Sequence, residues 1–256
     1  MMQVWKELPA WRARRAELEG RSIGLVPTLG ALHRGHASLV DRCRAENDVV
    51  VVTIFVNPSQ FNDERDLERY PRTLARDLEL LESLGAGEVI APAAADVYLQ
   101  GYRYCVIPPA DALVLEGAHR PGHFEGVLTV VLKLLNLVRA DRAYFGEKDF
   151  QQVRVVTEMT QEFFQPTQIV PCATVREQSG LAMSSRNALL SPEGREKAAG
   201  LWRALTNAVD ACEARRMLEA DGFVVDYVEE RWGRRLAAAY LESVRLIDNV
   251  PVAEAR

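Results

Sequence analysis

The chain has 256 residues and a mass of 28.6 kDa; 48% of its residues are hydrophobic and 26% charged. That balance belongs to an ordinary globular chain and excludes global disorder, a collagen-like chain and a coiled-coil rod. The net charge of −5 and pI near 5.5 exclude a protein built to wrap nucleic acid, but leave room for a local basic site that takes a small anion.

In chain order, the N-terminus carries Lys6, Arg12, Arg14 and Arg15 without an apolar core, so no secretory signal is expected. Ser22 to Val26 reads as a short strand broken by Pro27. His36 to Ala45 has helical spacing at Leu39, Val40 and Cys43. Val49 to Val56 is the longest apolar run, far too short to span a bilayer, and reads as a strand buried on both faces. Leu74 to Leu84 is a helix, Glu88 to Ala91 a third strand, and Val127 to Val138 a helix apolar almost all round. Arg142 to Phe145 and Thr167 to Val170 are strands flanking a helix from Gln151 to Phe164. Ser191-Pro192-Glu193 starts a helix expected to run to about Arg215, and Phe223 to Val228 and Val244 to Ile247 are the last strands.

Strands alternating with helices predict an α/β fold with a parallel sheet, whose ligands bind beyond the carboxyl ends of the strands. The expected division is a larger domain over 1–183 and a small α+β lobe over 184–256. The four cysteines, Cys43, Cys105, Cys172 and Cys212, lie far apart with no C-x-x-C pair, as expected of reduced thiols in a cytoplasmic protein.

Five loops carry chemistry. In Pro27-Thr28-Leu29-Gly30-Ala31-Leu32-His33-Arg34-Gly35-His36, the glycines let backbone approach a ligand, and the helix start offers N–H groups to a phosphate beside two imidazoles. Two histidines could also cap a turn or bind metal, but no third ligand stands at a metal-site spacing. In Phe55-Val56-Asn57-Pro58-Ser59-Gln60-Phe61, amides at a strand end either read a polar substrate or simply make a turn. Glu116-Gly117-Ala118-His119-Arg120-Pro121-Gly122-His123-Phe124 is a turn whose Arg and His could face an anion. Gly146-Glu147-Lys148-Asp149 joins a strand to a helix, with Lys148 suited to phosphate, Asp149 to a ribose hydroxyl or a cap, and Gln152 one turn further on. Val175-Arg176-Glu177, then Met183-Ser184-Ser185-Arg186-Asn187, sets two hydroxyls and a guanidinium as an anion clamp, with Gly180 as a hinge, or forms a Ser-rich linker. There is no G-x-G-x-x-G, no P-loop and no G-x-S-x-G, which disfavours dinucleotide binding, P-loop chemistry and an α/β-hydrolase.

The ordered segments PTLGALHRGH, IFVNPSQF, YPRTL, LEGAHRPGHF, FGEKDFQQ and VREQSGLAMSSRN resemble the pantoate–β-alanine ligase family over roughly residues 20 to 195, with a fainter echo at Arg245-Leu246-Ile247-Asp248-Asn249. The resemblance implies a Rossmann-like domain of the nucleotidylyltransferase type with a small C-terminal lobe, as a homodimer. It implies ATP, Mg²⁺, (R)-pantoate and β-alanine, reacting through pantoyl adenylate to pantothenate, AMP and pyrophosphate, with no nucleic-acid or membrane partner. The alternative is a nucleotidylyltransferase of the same fold acting on another small molecule. By motif, Leu29, Gly30, Ala31, Leu32, His33, Arg34, Gly35 and His36 line the ATP site, with His36 as general acid and His33 beside it. Gly146, Glu147, Lys148 and Asp149 hold ATP, Val175 touches adenine, and Met183, Ser184, Ser185 and Arg186 close on the triphosphate. Gln60 and Gln152 bind pantoate, and Asp77 matches an acidic position associated with Mg²⁺. Leu29 replaces the family's usual Met, Ser179 its usual Asp, and the C-terminal lobe is shortened around Glu230 to Ala238.

Overall fold

The computed structural model of the protein describes residues 2–62 and 64–252. The chain divides into two compact units, Met1–Gly146 with Gln151–Cys172, and Glu147–Phe150 with Ala173–Arg256. The second unit therefore takes in residues 147–150 and 173–183 as well as the expected lobe.

The first unit is built on six parallel strands: β1 Gln3–Trp5, β2 Ile23–Thr28, β3 Val49–Ile54, β4 Glu88–Ile90, β5 Arg142–Gly146 and β6 Gln168–Cys172, in the order β1-β4-β3-β2-β5-β6. Its helices are α1 Leu8–Glu17, α2 Arg34–Glu46, α3 Glu64–Arg69, α4 Leu74–Ser83, α5 Ala94–Val97, α6 Glu116–His119, α7 His123–Val138 and α8 Phe150–Glu162. Every residue of β3 is buried. Val49 and Val51 join the core formed by α1, α7 and α8, while Val50 and Val52 join the core formed by α2 and α4. A strand covered on both faces needs no polar alternation, hence its continuous apolar run. Burial also pushes the Cys43 thiol up to about 12, which keeps it an inert core group.

Pro27 does not end β2 as expected. The Ile23 N–H points to the β5 side, where it meets Asp141, and alternate residues of a strand share that direction. Pairing with β5 stops at Leu25, so the donor that Pro27 lacks would have had no ladder to join. β1 and α1 were not expected from the sequence; they cover the sheet edge next to β4 and bury Trp11.

The second unit packs α9 Pro192–Asn207 and α10 Ala211–Ala220 on an antiparallel sheet of β7 Val224–Arg231, β8 Arg234–Leu241 and β9 Val244–Pro251. Ser191 caps α9 as expected, accepting from the Gly194 N–H. The single helix expected to Arg215 is two. Ala208 is extended, and Asp210 caps α10 by accepting from the Glu213 N–H. The break is held by Arg235, only 4% exposed, which donates to the carbonyls of Leu205, Ala208 and Val209. β8 escapes a sequence reading because its centre is alanine, a residue depleted in strands; Ala237, Ala238 and Ala239 are fully buried there. The chain between Glu230 and Ala238 closes a hairpin on Trp232 and Gly233, both at positive φ (54° and 69°), the geometry that matches strand twist.

Replacing Arg235 by Met should leave three helix-end carbonyls and the Glu230 carboxylate without their donor. The expected loss is about 3 kcal/mol, on the scale of breaking a buried charged hydrogen-bond network. Urea unfolding followed by Trp fluorescence reads it, and an unchanged midpoint would show that water replaces the guanidinium.

Candidate functional site

In the first unit the site grows from the carboxyl edge of two neighbouring strands. β2 and β3 end in register at Thr28 and Ile54, and the Phe55 N–H donates to the Thr28 carbonyl, so the loops after both strands leave side by side. After β2 the backbone turns through Gly30 at φ +85° and Ala31 at φ +50°. Two successive left-handed residues line up neighbouring N–H groups, and here both point at one carboxylate. Asp77 on α4 accepts from Ala31 N–H at 2.9 Å and Leu32 N–H at 2.8 Å, and from the Thr73 hydroxyl at 3.2 Å. It is only 2% exposed. A Cβ on Gly30 would stand 3.2 Å from the same carboxylate.

The two histidines form a reciprocal cap on α2. His33 Nδ1 accepts from the Gly35 N–H at 3.1 Å, and His36 Nδ1 accepts from the His33 N–H at 3.3 Å, with ring centroids 4.1 Å apart. Backbone N–H groups only donate, so both Nδ1 atoms are bare and both protons sit on Nε2. The capping reading and the phosphate reading are thus compatible: one nitrogen of each ring holds the helix start, and the other is an N–H donor.

The loop after β3 is a 3₁₀ turn over Pro58–Gln60 capped by Asn57. Asn57 is fully buried and saturated. Its oxygen accepts from the Ser59 hydroxyl at 2.9 Å and the Tyr98 hydroxyl at 2.8 Å; its amide donates to Gly126 O at 3.1 Å and to Gln60 Oε1 at 3.0 Å. That last bond orients the Gln60 amide with its NH₂ group left to donate. The turn packs so closely on α7 that a Cβ on Gly126 would lie 2.3 Å from Ser59 O. His123, at the start of α7, donates from Nδ1 to Gln60 O at 3.0 Å and faces Arg120 through Nε2 at 3.2 Å. Arg120 also lies 3.5 Å from the Glu116 carboxylate. Through Arg120 and His123 this turn holds the backbone of Gln60. Of the loop's two amides, Asn57 thus makes the turn, and Asn-Pro after a strand is the signature of that role. Gln152 stands half-buried in the first turn of α8, after β5; its neighbour Gln151 is buried and ties α8 to the loop at Val114 and Glu116.

In the second unit Lys148 lies on the 3₁₀ turn Glu147–Asp149, 19% exposed at its side chain and 4.0 Å from Asp149. Val175 O accepts from the Met183 N–H, and Arg176 bridges to Ala182, so residues 175–183 fold back as a hairpin. Ser184 caps the turn Ser185–Leu189 by accepting from the Arg186 N–H at 3.2 Å. Gly180 is not the open hinge expected of it. At φ +93° it lies against the face of Trp202, where a Cβ would stand 2.0 Å from the ring. Met183, Ser184, Ser185 and Arg186 are all half-buried.

The Mg²⁺ expectation at Asp77 does not fit this donor set. Both carboxylate oxygens already accept from N–H and hydroxyl donors. Asp77 is instead the clamp of the Gly30–Leu32 turn.

The family model described as pantoate-beta-alanine ligase matches residues 1–251. The chain belongs to the pantoate–β-alanine ligase family. It is 50% identical to the pantothenate synthetase of Bdellovibrio bacteriovorus over 96% of each chain. It is 49% identical to that of Cereibacter sphaeroides, over 98% of this chain and 100% of the relative. A solved pantoate-beta-alanine ligase from Francisella tularensis, complexed with beta-gamma ATP and beta-alanine, superposes with TM-score 0.94 at 39% identity over 98% of each chain. The Thermus thermophilus pantothenate synthetase superposes with TM-score 0.90 at 40% identity, over 98% of this chain and 99% of that one. The family's parallel sheet with a small C-terminal lobe is the fold observed, and the protein is an ATP-dependent ligase.

Removing the clamp should disarm the turn without unfolding the sheet. Asp77→Ala is expected to lower pyrophosphate release about 10- to 100-fold, the usual consequence of a displaced ligand-binding segment. Asp77→Asn should recover only part of this, because an amide has one acceptor atom for two N–H groups. Raising Mg²⁺ should rescue neither variant in single-turnover assays; full rescue would mean that Asp77 is a metal ligand after all.

Proposed function

We infer that the protein makes pantothenate. (R)-Pantoate attacks the α-phosphorus of ATP through its carboxylate, giving pantoyl adenylate and releasing pyrophosphate. The β-alanine amine then attacks the acyl carbon, forming the amide and releasing AMP. The observation that carries this reading is the β2–β3 edge, where two Nε2-protonated imidazoles stand on a clamped glycine turn beside an amide locked into donor orientation. The first feature suits phosphate oxygens, the second a small hydroxy acid.

In this reading His36 and His33 donate from Nε2 to phosphate oxygens, where charge builds as the bond to the leaving pyrophosphate breaks. Leu29, Gly30, Ala31, Leu32, Arg34 and Gly35 shape the turn that receives ATP. Gln60 binds pantoate with its NH₂ group, and Gln152 contributes a second amide. Lys148 reaches the phosphates, Met183, Ser184, Ser185 and Arg186 close on them, Gly146, Glu147 and Asp149 hold the nucleotide, and Val175 touches the adenine. Mg²⁺ belongs to the substrate, carried in on the ATP phosphates, as is usual for an ion that keeps most of its coordination to water and phosphate. Catalysis is positioning and charge stabilisation, with no covalent enzyme intermediate required.

The reaction belongs in the cytoplasm, where free thiols such as Cys105 and Cys212 stay reduced. Among the described residues no helix is long and apolar enough to cross a membrane. Homodimer formation is supported by an apolar surface segment of the first unit: Leu99, Tyr104 and Ile107 are 71%, 86% and 81% exposed.

Mass spectrometry of a reaction with ATP, Mg²⁺, pantoate and β-alanine should find AMP, pyrophosphate and an amide; a product that keeps its nucleotide would support the nucleotidylyltransferase alternative. His36→Ala should stay folded and release pyrophosphate about 10²- to 10³-fold more slowly, the usual effect of losing one transition-state donor. Near-normal release would remove His36 from the mechanism. Sedimentation velocity should find a dimer that Ile107→Asp dissociates, whereas a monomeric wild type would end the homodimer reading.

A further inference from the structure

The segment that carries Lys148 is short, and it is not held by its own sequence neighbours alone. Its backbone carbonyls are taken by one residue of β9. Asn249, 3% exposed, donates both hydrogens of its amide to this segment, to Glu147 O at 2.8 Å and Lys148 O at 3.0 Å. Arg234 on β8 completes the bracket. It donates to Asn249 Oδ1 at 2.7 Å and to the Glu147 carboxylate at 2.8 Å, and its guanidinium lies 4.5 Å from the centre of the Phe150 ring. Asn249 in turn is fixed from behind. Its backbone N–H donates to Asp248 Oδ1, and Asp248 takes a two-point contact from Arg176 at 2.6 and 3.0 Å.

Every polar atom of the Asn249 side chain thus acts on residues 147–150 or on the arginine that holds them. A buried amide saturated in this way has one orientation, and so has the peptide between Glu147 and Lys148. We propose that Asn249 and Arg234 are positioning residues for the adenylation step: they set the backbone from which Lys148 presents its ammonium group to the ATP phosphates. The proposal rests on the assignment of Lys148 to those phosphates. It gives a role to the last strand and to the Arg245–Asn249 motif.

Lys148 is one of four lysines, with Lys6, Lys133 and Lys197 as internal references. The test therefore has a chemical readout as well as a kinetic one. Asn249→Ala is compared with wild type, with Arg234→Lys as the milder variant should Asn249→Ala fold poorly. Pyrophosphate release in a single turnover should fall about 10- to 100-fold in Asn249→Ala, the effect of a misplaced binding group. The second half-reaction, from pre-formed pantoyl adenylate and β-alanine, should change by less than about threefold, since its β- and γ-phosphates have left. In a Lys148→Ala background the Asn249→Ala loss should shrink to less than about threefold, because residues acting through one another are not additive.

Without nucleotide, competitive acylation mapped by mass spectrometry should show an altered rate and pH profile at Lys148, with Lys133 and Lys197 unchanged. Losses that multiply in the double variant, or fall equally on both half-reactions, would overturn the proposal. So would wild-type acylation of Lys148 in a folded Asn249→Ala protein. If the wild type released no pyrophosphate from ATP and pantoate, the proposed function would fail while the acylation comparison still decided whether Asn249 positions Lys148.

Discussion

One buried carboxylate governs the shape of the edge where β2 and β3 end in the first unit. A turn with two consecutive residues at positive φ, one of them alanine, carries backbone strain on the order of 1–3 kcal/mol and persists only where its surroundings hold it. Asp77 holds it, by accepting from the two N–H groups that the turn brings into line. The same turn delivers His33 to the N-cap of α2. A carboxylate from a helix 46 residues away therefore organises the strand end, the turn and the helix start at once.

The histidine pair shows how the donor inventory alone assigns chemistry. Each ring has one nitrogen committed to a backbone N–H, and that commitment fixes the tautomer. His123 obeys the same logic in the opposite sense: its Nδ1 faces a carbonyl and carries the proton, while its Nε2 faces an arginine and is bare. His123 is thereby a support for Gln60, whereas His33 and His36 turn their Nδ1 atoms to the start of α2. Three histidines in related loops take different roles because their partners differ, not because their residue type does.

The second unit uses a comparable economy. β9 presents Asp248 and Asn249 in succession, and the two reach different segments. Asp248 grips Arg176, at the base of the hairpin that leads to Ser184–Arg186; Asn249 grips the backbone at Lys148. The edge strand of a small sheet is thereby turned into a platform for two loops. Trp202 adds the apolar half of that support, with Arg176 over its ring and Gly180 seated against it.

The sequence by itself determined the α/β class, the parallel sheet and the family, and singled out the loops after the second and third strands, because these depend on local pattern: runs of apolar residues, Gly and Pro punctuation, and ordered motifs. β3 was legible since burial on both faces leaves an unbroken apolar run. Only the tertiary structure decided what holds the loops. Asp77 to Leu32, His123 to Gln60 and Asn249 to Lys148 are contacts between residues 45, 63 and 101 positions apart, and no spacing rule reports them. It also decided the alanine strand β8 and the break between α9 and α10, where burial and a long-range arginine outweigh local helix propensity. Pro27 within β2 has the same origin: a missing N–H matters only where a neighbouring strand stands to receive it, and where β5 ends is a property of the sheet rather than of the residues around the proline.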